Sequence, residues 1–146
     1  MNTDKTIVTR SEAETEAFAA ALARELPRGT VLTLDGDLGA GKTVFSRGFA
    51  RGLGITEPVS SPTYTILQEY PLPSGGGMLY HLDLYRIADE VSALAFGVEE
   101  YLDDPASFAL IEWPERIAGI LPDDVLEVKL RHLSGNEREI TVAGRE

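Results

Sequence analysis

The stretch Gly36-Asp37-Leu38-Gly39-Ala40-Gly41-Lys42-Thr43 limits what this chain can fold into more than any other. It satisfies GxxxxGK[ST], the P-loop pattern, and its surroundings agree. An apolar run, TVLTLDG, precedes it, and a run with Phe45, Phe49 and Leu53 on one helical face follows. Strand, glycine loop and helix in that order turn successive backbone N–H groups toward a bound phosphate, and the helix N-terminus adds partial positive charge. Lys42 is then expected to reach the β- and γ-phosphates of a nucleotide, and the Thr43 hydroxyl to ligate Mg²⁺. Asp37 would repel phosphate if it pointed inward, so its side chain is expected to face solvent or a partner.

The remaining pattern implies an α/β fold: a P-loop NTPase core with a mixed parallel and antiparallel sheet flanked by helices. KTIVTR reads as a short strand, and Ser11 with Glu14 has the spacing of a capping box. Phe18, Leu22 and Leu26 follow on one helical face, which Pro27-Arg28-Gly29 ends. PTYTILQEY and GMLYHLDLYR read as a hairpin joined by PSGGG, and Asp89 is placed to cap a short helix, DEVSALAF. SFALIEW reads as a buried strand, PERIAGIL as a turn or helix, and VLEVKLRHL with REITVA as a last hairpin around SGNE. One compact domain over residues 1–146 is expected.

No apolar run is long enough to span a membrane, and the chain has no cysteine, which fits a reducing cytoplasm. Acidic residues number 24 against 13 basic, a net charge of −11. Direct nucleic-acid binding is therefore expected to be weak, since phosphate neutralisation needs clustered Lys and Arg. Only the helix carrying Arg47 and Arg51 shows a small basic stripe. Any nucleic acid in the function would then be held by a partner.

A P-loop that hydrolyses nucleotide needs acids to hold Mg²⁺ and to orient water. Glu112 follows the apolar run of FALIE as a Walker-B-like acid, or ends a strand as a surface carboxylate. In HLDLYR, strand periodicity puts His81, Asp83 and Tyr85 on one face, and Tyr80, Leu82 and Leu84 on the other. Asp83 could serve the metal or its water, or pair structurally with His81 or Arg86, and His81 reads as an orienting residue. Thr63, in SSPTY, is placed like a switch threonine that senses γ-phosphate, or merely follows the Pro62 that opens a strand.

GDLGAGKT, SSPTYT, HLDLYR and IEWPER, in that order from about Ser11 to Pro122, resemble the bacterial TsaE (YjeE-type) ATPases. The resemblance implies a role in making N6-threonylcarbamoyladenosine next to the anticodon of tRNAs that read codons beginning with A. It implies weak ATP hydrolysis in isolation, work with the TsaD–TsaB pair, and contact with tRNA only through those partners. It assigns Mg²⁺ to Thr43 and Glu112, with Asp83 near the metal and the hydrolytic water. It also points to Ser11, Thr15 and Arg138 for the adenine. Trp113 has two possible places, the core, where a lone Trp usually sits, or the wall of the site.

Three other classes share the P-loop. A small-molecule kinase usually needs a lid carrying Arg residues, and here Arg86, Arg116, Arg131, Arg138 and Arg145 are scattered. A nucleotide-sensing module without significant hydrolysis stays open on these residues. A GTPase would want NKxD, which the chain lacks.

Overall fold

The structure, a computed structural model, describes residues 4–36, 40–59 and 66–144. Its strands form one seven-stranded sheet in the order β1-β7-β6-β2-β5-β4-β3. These are β1 (Lys5–Thr9), β2 (Val31–Asp35), β3 (Leu67–Pro71), β4 (Met78–Asp83), β5 (Phe108–Glu112), β6 (Leu126–His132) and β7 (Arg138–Gly144). β6, β2, β5 and β4 run parallel at the centre, and antiparallel partners β7, β1 and β3 extend both sides. The mixed sheet expected from the sequence is thus present. Among the described residues no helix is long and apolar enough to cross a membrane.

Alternation along the central strands builds two cores. Leu32, Leu34, Leu79, Phe108 and Leu110 face helices α1 (Glu12–Glu25) and α2 (Lys42–Gly52). Val31, Leu82, Ala109 and Ile111 face the opposite layer, made of α3 (Glu90–Phe96), α4 (Val98–Leu102) and the 3₁₀ turns of Pro114–Ile120. Burying both faces suits the near-continuous apolar sequence of FALIE, a strand that is buried at every residue.

Local chemistry sets the helix ends. Ser11 Oγ accepts the Glu14 N–H at 3.1 Å, and the Glu14 carboxylate reaches back to the Arg10 N–H at 2.9 Å, one residue before the position a capping box would use. Asp89 caps α3 through the Ser92 N–H, and Gly54, at φ +89°, follows the end of α2. Arg47 and Arg51 both lie against Glu16 of α1, at 3.5 and 3.4 Å, so the basic stripe is partly offset within the fold.

Gly48 and Gly52 let α1 and α2 approach backbone to backbone. A Cβ on Gly48 would collide with the Glu16 carbonyl, and one on Gly52 with that of Ala20. Gly48→Ala is therefore expected to push the helices apart and destabilise the protein by about 2 kcal/mol, despite the better helix propensity of alanine. Thermal unfolding should show a midpoint lower by about 4–8 °C. An unchanged midpoint would mean that the helix pair is not tightly seated.

Candidate functional site

The phosphate loop leaves the C-terminal end of β2 and enters α2, whose first residue is Lys42. Gly41 stands before it at φ +101°, a conformation that costs a residue with a Cβ about 1–2 kcal/mol. Gly36, at the other end of the loop, presses against β6, where an added Cβ would lie 2.7 Å from the Leu130 carbonyl oxygen. Ala40 is buried between them. Asp37, Leu38 and Gly39 lie outside the described residues, as does the 60–65 segment with Thr63.

Two carboxylates meet this loop from neighbouring strands. Asp83 and Glu112 are register partners at the C-terminal ends of β4 and β5, and β5 in turn pairs with β2. Period-two alternation places His81 and Asp83 on the same face as Leu79, and Glu112 on that of Leu110. Leu79 and Leu110 belong to the core that α2 covers. The acids therefore approach the sheet face where the loop stands.

Glu112 is only 3% exposed, so it is not a surface carboxylate. His81 Nε2 lies 2.8 Å from its Oε2, with both side chains almost wholly buried. Of the structural pairings open to Asp83 on sequence grounds, the one with His81 does not form, since His81 turns to Glu112. Asp83 Oδ1 instead accepts the Tyr85 N–H at 3.0 Å. That turn ends β4 at Asp83, so the strand does not run through Tyr85 and Arg86 as periodicity alone suggests. Tyr85 lies beyond the ladder and mostly in solvent.

Burial raises the Asp83 pKa above the ordinary carboxylate range, and the charge of Glu112 adds to the rise. The Tyr85 hydrogen bond and the positive field of Lys42 oppose it. The charges of Lys42 and Glu112 thus both act on Asp83, with opposite sign.

Trp113 belongs to the wall of this group. Its backbone has φ 61° and ψ 51°, the one left-handed conformation at a non-glycine residue among those described. Such strain in a bulky residue persists only where its surroundings enforce it. Here the following Pro114 begins the 3₁₀ turns, and the indole lies 4.9 Å from the Tyr85 ring, tilted at 54° to it. Lys42 Nζ sits 5.0 Å from the Trp113 ring centroid, a cation–π contact.

A separate corner gathers Ser11, Thr15 and Arg138. Thr9 of β1 opposes Arg138 of β7, and its hydroxyl lies 2.7 Å from that of buried Thr15. The hydroxyls of Ser11 and Thr15 are therefore engaged locally, one as helix cap and one with Thr9. Arg138 differs. Its Nε is buried with no hydrogen-bond partner among the described residues, 3.7 Å from where a Cβ on Gly41 would stand. Arg138 approaches the phosphate loop with an unused donor.

The chain is similar to known proteins over most of its length. The family model of the threonylcarbamoyl adenosine biosynthesis protein TsaE matches residues 9–140. The Bacillus subtilis tRNA threonylcarbamoyladenosine biosynthesis protein TsaE is 47% identical over 128 residues, covering 88% of this chain and 78% of that protein. Its Treponema pallidum counterpart is 41% identical over 136 residues, covering 93% and 98% respectively. The crystal structure of Bacillus subtilis YdiB superposes with a TM-score of 0.81 at 38% identity, covering all of this chain and 88% of that one. A likeness running through the loop, both carboxylate strands and the final hairpin decides the assignment: the chain belongs to the TsaE family of threonylcarbamoyl adenosine biosynthesis proteins.

Proposed function

We infer that the chain is an ATP-binding, slowly hydrolysing accessory ATPase that works with the TsaD–TsaB pair to form N6-threonylcarbamoyladenosine next to the tRNA anticodon. One observation carries the nucleotide part of this reading: the lysine of the phosphate loop sits over Trp113, the residue after Glu112, and Glu112 pairs in register with Asp83 at adjacent strand ends. The names of the relatives supply the tRNA modification. The chain would act as a single cytoplasmic P-loop domain over residues 1–146.

In this reading the backbone of Gly36 to Thr43 cradles the phosphates, and Lys42 leaves the indole to hold the β- and γ-oxygens. Arg138 would contact the nucleotide near Gly41, with Ser11 and Thr15 walling the same corner. Magnesium suits the donors present, all hard oxygens: the Thr43 hydroxyl and the carboxylates of Glu112 and Asp83. No cluster of three or more His, Asp or Glu side chains among the described residues could hold a metal alone. When bound, magnesium would neutralise charge on the phosphate oxygens during transfer to water. Asp83, made more basic by burial, would orient that water, and Thr63 would sense the γ-phosphate.

A chain of net charge −11 would meet tRNA through its partners rather than grip it. ATP turnover is therefore to be measured alone, with small hydroxyl substrates, and with TsaD–TsaB and tRNA. Slow turnover alone and faster turnover with the partners and tRNA is expected. A phosphorylated small molecule would overturn the reading in favour of a kinase.

A further inference from the structure

We propose that His81 is a positioning residue for Glu112, fixing its carboxylate for the metal-bound state of the nucleotide. The inference rests on the magnesium–ATP reading above. Glu112 is buried in the core at 3% exposure, and a carboxylate there is costly unless something bonds it. Among the described residues, His81 Nε2 is the hydrogen-bond partner of that carboxylate, at 2.8 Å.

The other ring nitrogen decides the tautomer. His81 Nδ1 is buried with no hydrogen-bond partner among the described residues. A hydrogen there would be an orphaned donor, so the surroundings favour the tautomer with its hydrogen on Nε2, donated to Glu112 Oε2. The imidazole is wholly buried on β4, and the parallel register fixes β4 against β5. The bond takes one carboxylate oxygen and leaves the other for a cation. Neighbours of this kind hold a ligand in one rotamer, and losing them typically costs 10–100-fold in metal affinity or activity.

The test compares His81→Leu, which fills the space without a donor, with His81→Gln, whose amide N–H reaches about as far as Nε2. ATP affinity is measured by calorimetry with excess magnesium and again with EDTA, alongside kcat and KM for hydrolysis. In His81→Leu, affinity with magnesium is expected to fall about tenfold or more, affinity with EDTA to stay within about twofold, and kcat to drop. His81→Gln should recover most of the loss, which a purely structural role of the ring would not predict.

If His81→Leu does not melt cooperatively, His81→Asn, too short to reach Oε2, replaces it. Failure of both to fold overturns the positioning role in favour of a core role. A folded His81→Leu with unchanged magnesium dependence also overturns it. Wild-type protein that binds ATP equally with and without magnesium would instead overturn the metal reading of the site.

Discussion

Lys42→Ala is expected to weaken ATP binding about 100-fold and to lower hydrolysis by at least as much. The ammonium would make charge-assisted contacts to two phosphates, and each hydrogen bond to a charged group contributes about 1.5–3 kcal/mol. Losing about 3 kcal/mol is roughly two decades in Kd. The fold should survive, because in the free protein the ammonium gives up a cation–π pair over Trp113, of about 0.5–1 kcal/mol at a partly exposed site. The chain has one Trp, so its fluorescence reports this position directly. Wild-type emission should change on ATP addition, as Lys42 moves from indole to phosphate, and Lys42→Ala should be silent at the same concentrations. In reconstituted tRNA modification with TsaD–TsaB, the variant should fail to support repeated turnover. Native ATP affinity in Lys42→Ala would remove the P-loop from the nucleotide site.

What the sequence makes legible follows from range. The phosphate loop, the cap at Ser11, the stop at Gly54 and both hairpins depend on residues a few positions apart, and local periodicity reads them. Glu112 and Asp83 are also legible as acids ending apolar strands. Their mutual placement is not, because it needs β4 beside β5 in one register, and the helices and turns of residues 84–107 lie between those strands. The partner of His81 is hidden for the same reason. Sequence proximity suggests Asp83, two residues away, whereas alternate residues on a strand point along the same face and the bond crosses to the next strand.

Trp113 illustrates a second kind of blindness. Composition treats a lone Trp as core material, and half of that reading holds, since its ring packs beside the second core. The left-handed backbone that swings it over Lys42 has no local signal, since the following Pro114 favours an extended residue before it. Arg47 and Arg51 show the converse. A charge stripe on one helix looks available until a second helix brings Glu16 against it.

For Glu112, the informative replacement is glutamine rather than alanine. Alanine would leave His81 Nε2–H unpartnered in the core, at about 1–3 kcal/mol, and confuse lost function with lost stability. Glutamine keeps the size and an oxygen for that hydrogen, and removes only the charge. Glu112→Gln should therefore melt within a few degrees of the wild type and bind ATP normally in EDTA. Magnesium-dependent hydrolysis should nevertheless fall about 100-fold or more, the scale of losing one preorganised electrostatic group at a reacting phosphate. Asp83 provides an internal control. Its pKa is raised partly by the Glu112 charge, so neutralising Glu112 should lower it. Carbon-detected NMR titration of the Asp83 carboxyl in the nucleotide-free protein would read that shift without any turnover. Wild-type magnesium dependence together with a lowered Asp83 pKa would show that Glu112 is coupled to Asp83 but has no part in holding the metal. Loss of both the hydrolysis and the coupling is the pattern expected if Glu112 is the acid that completes the site.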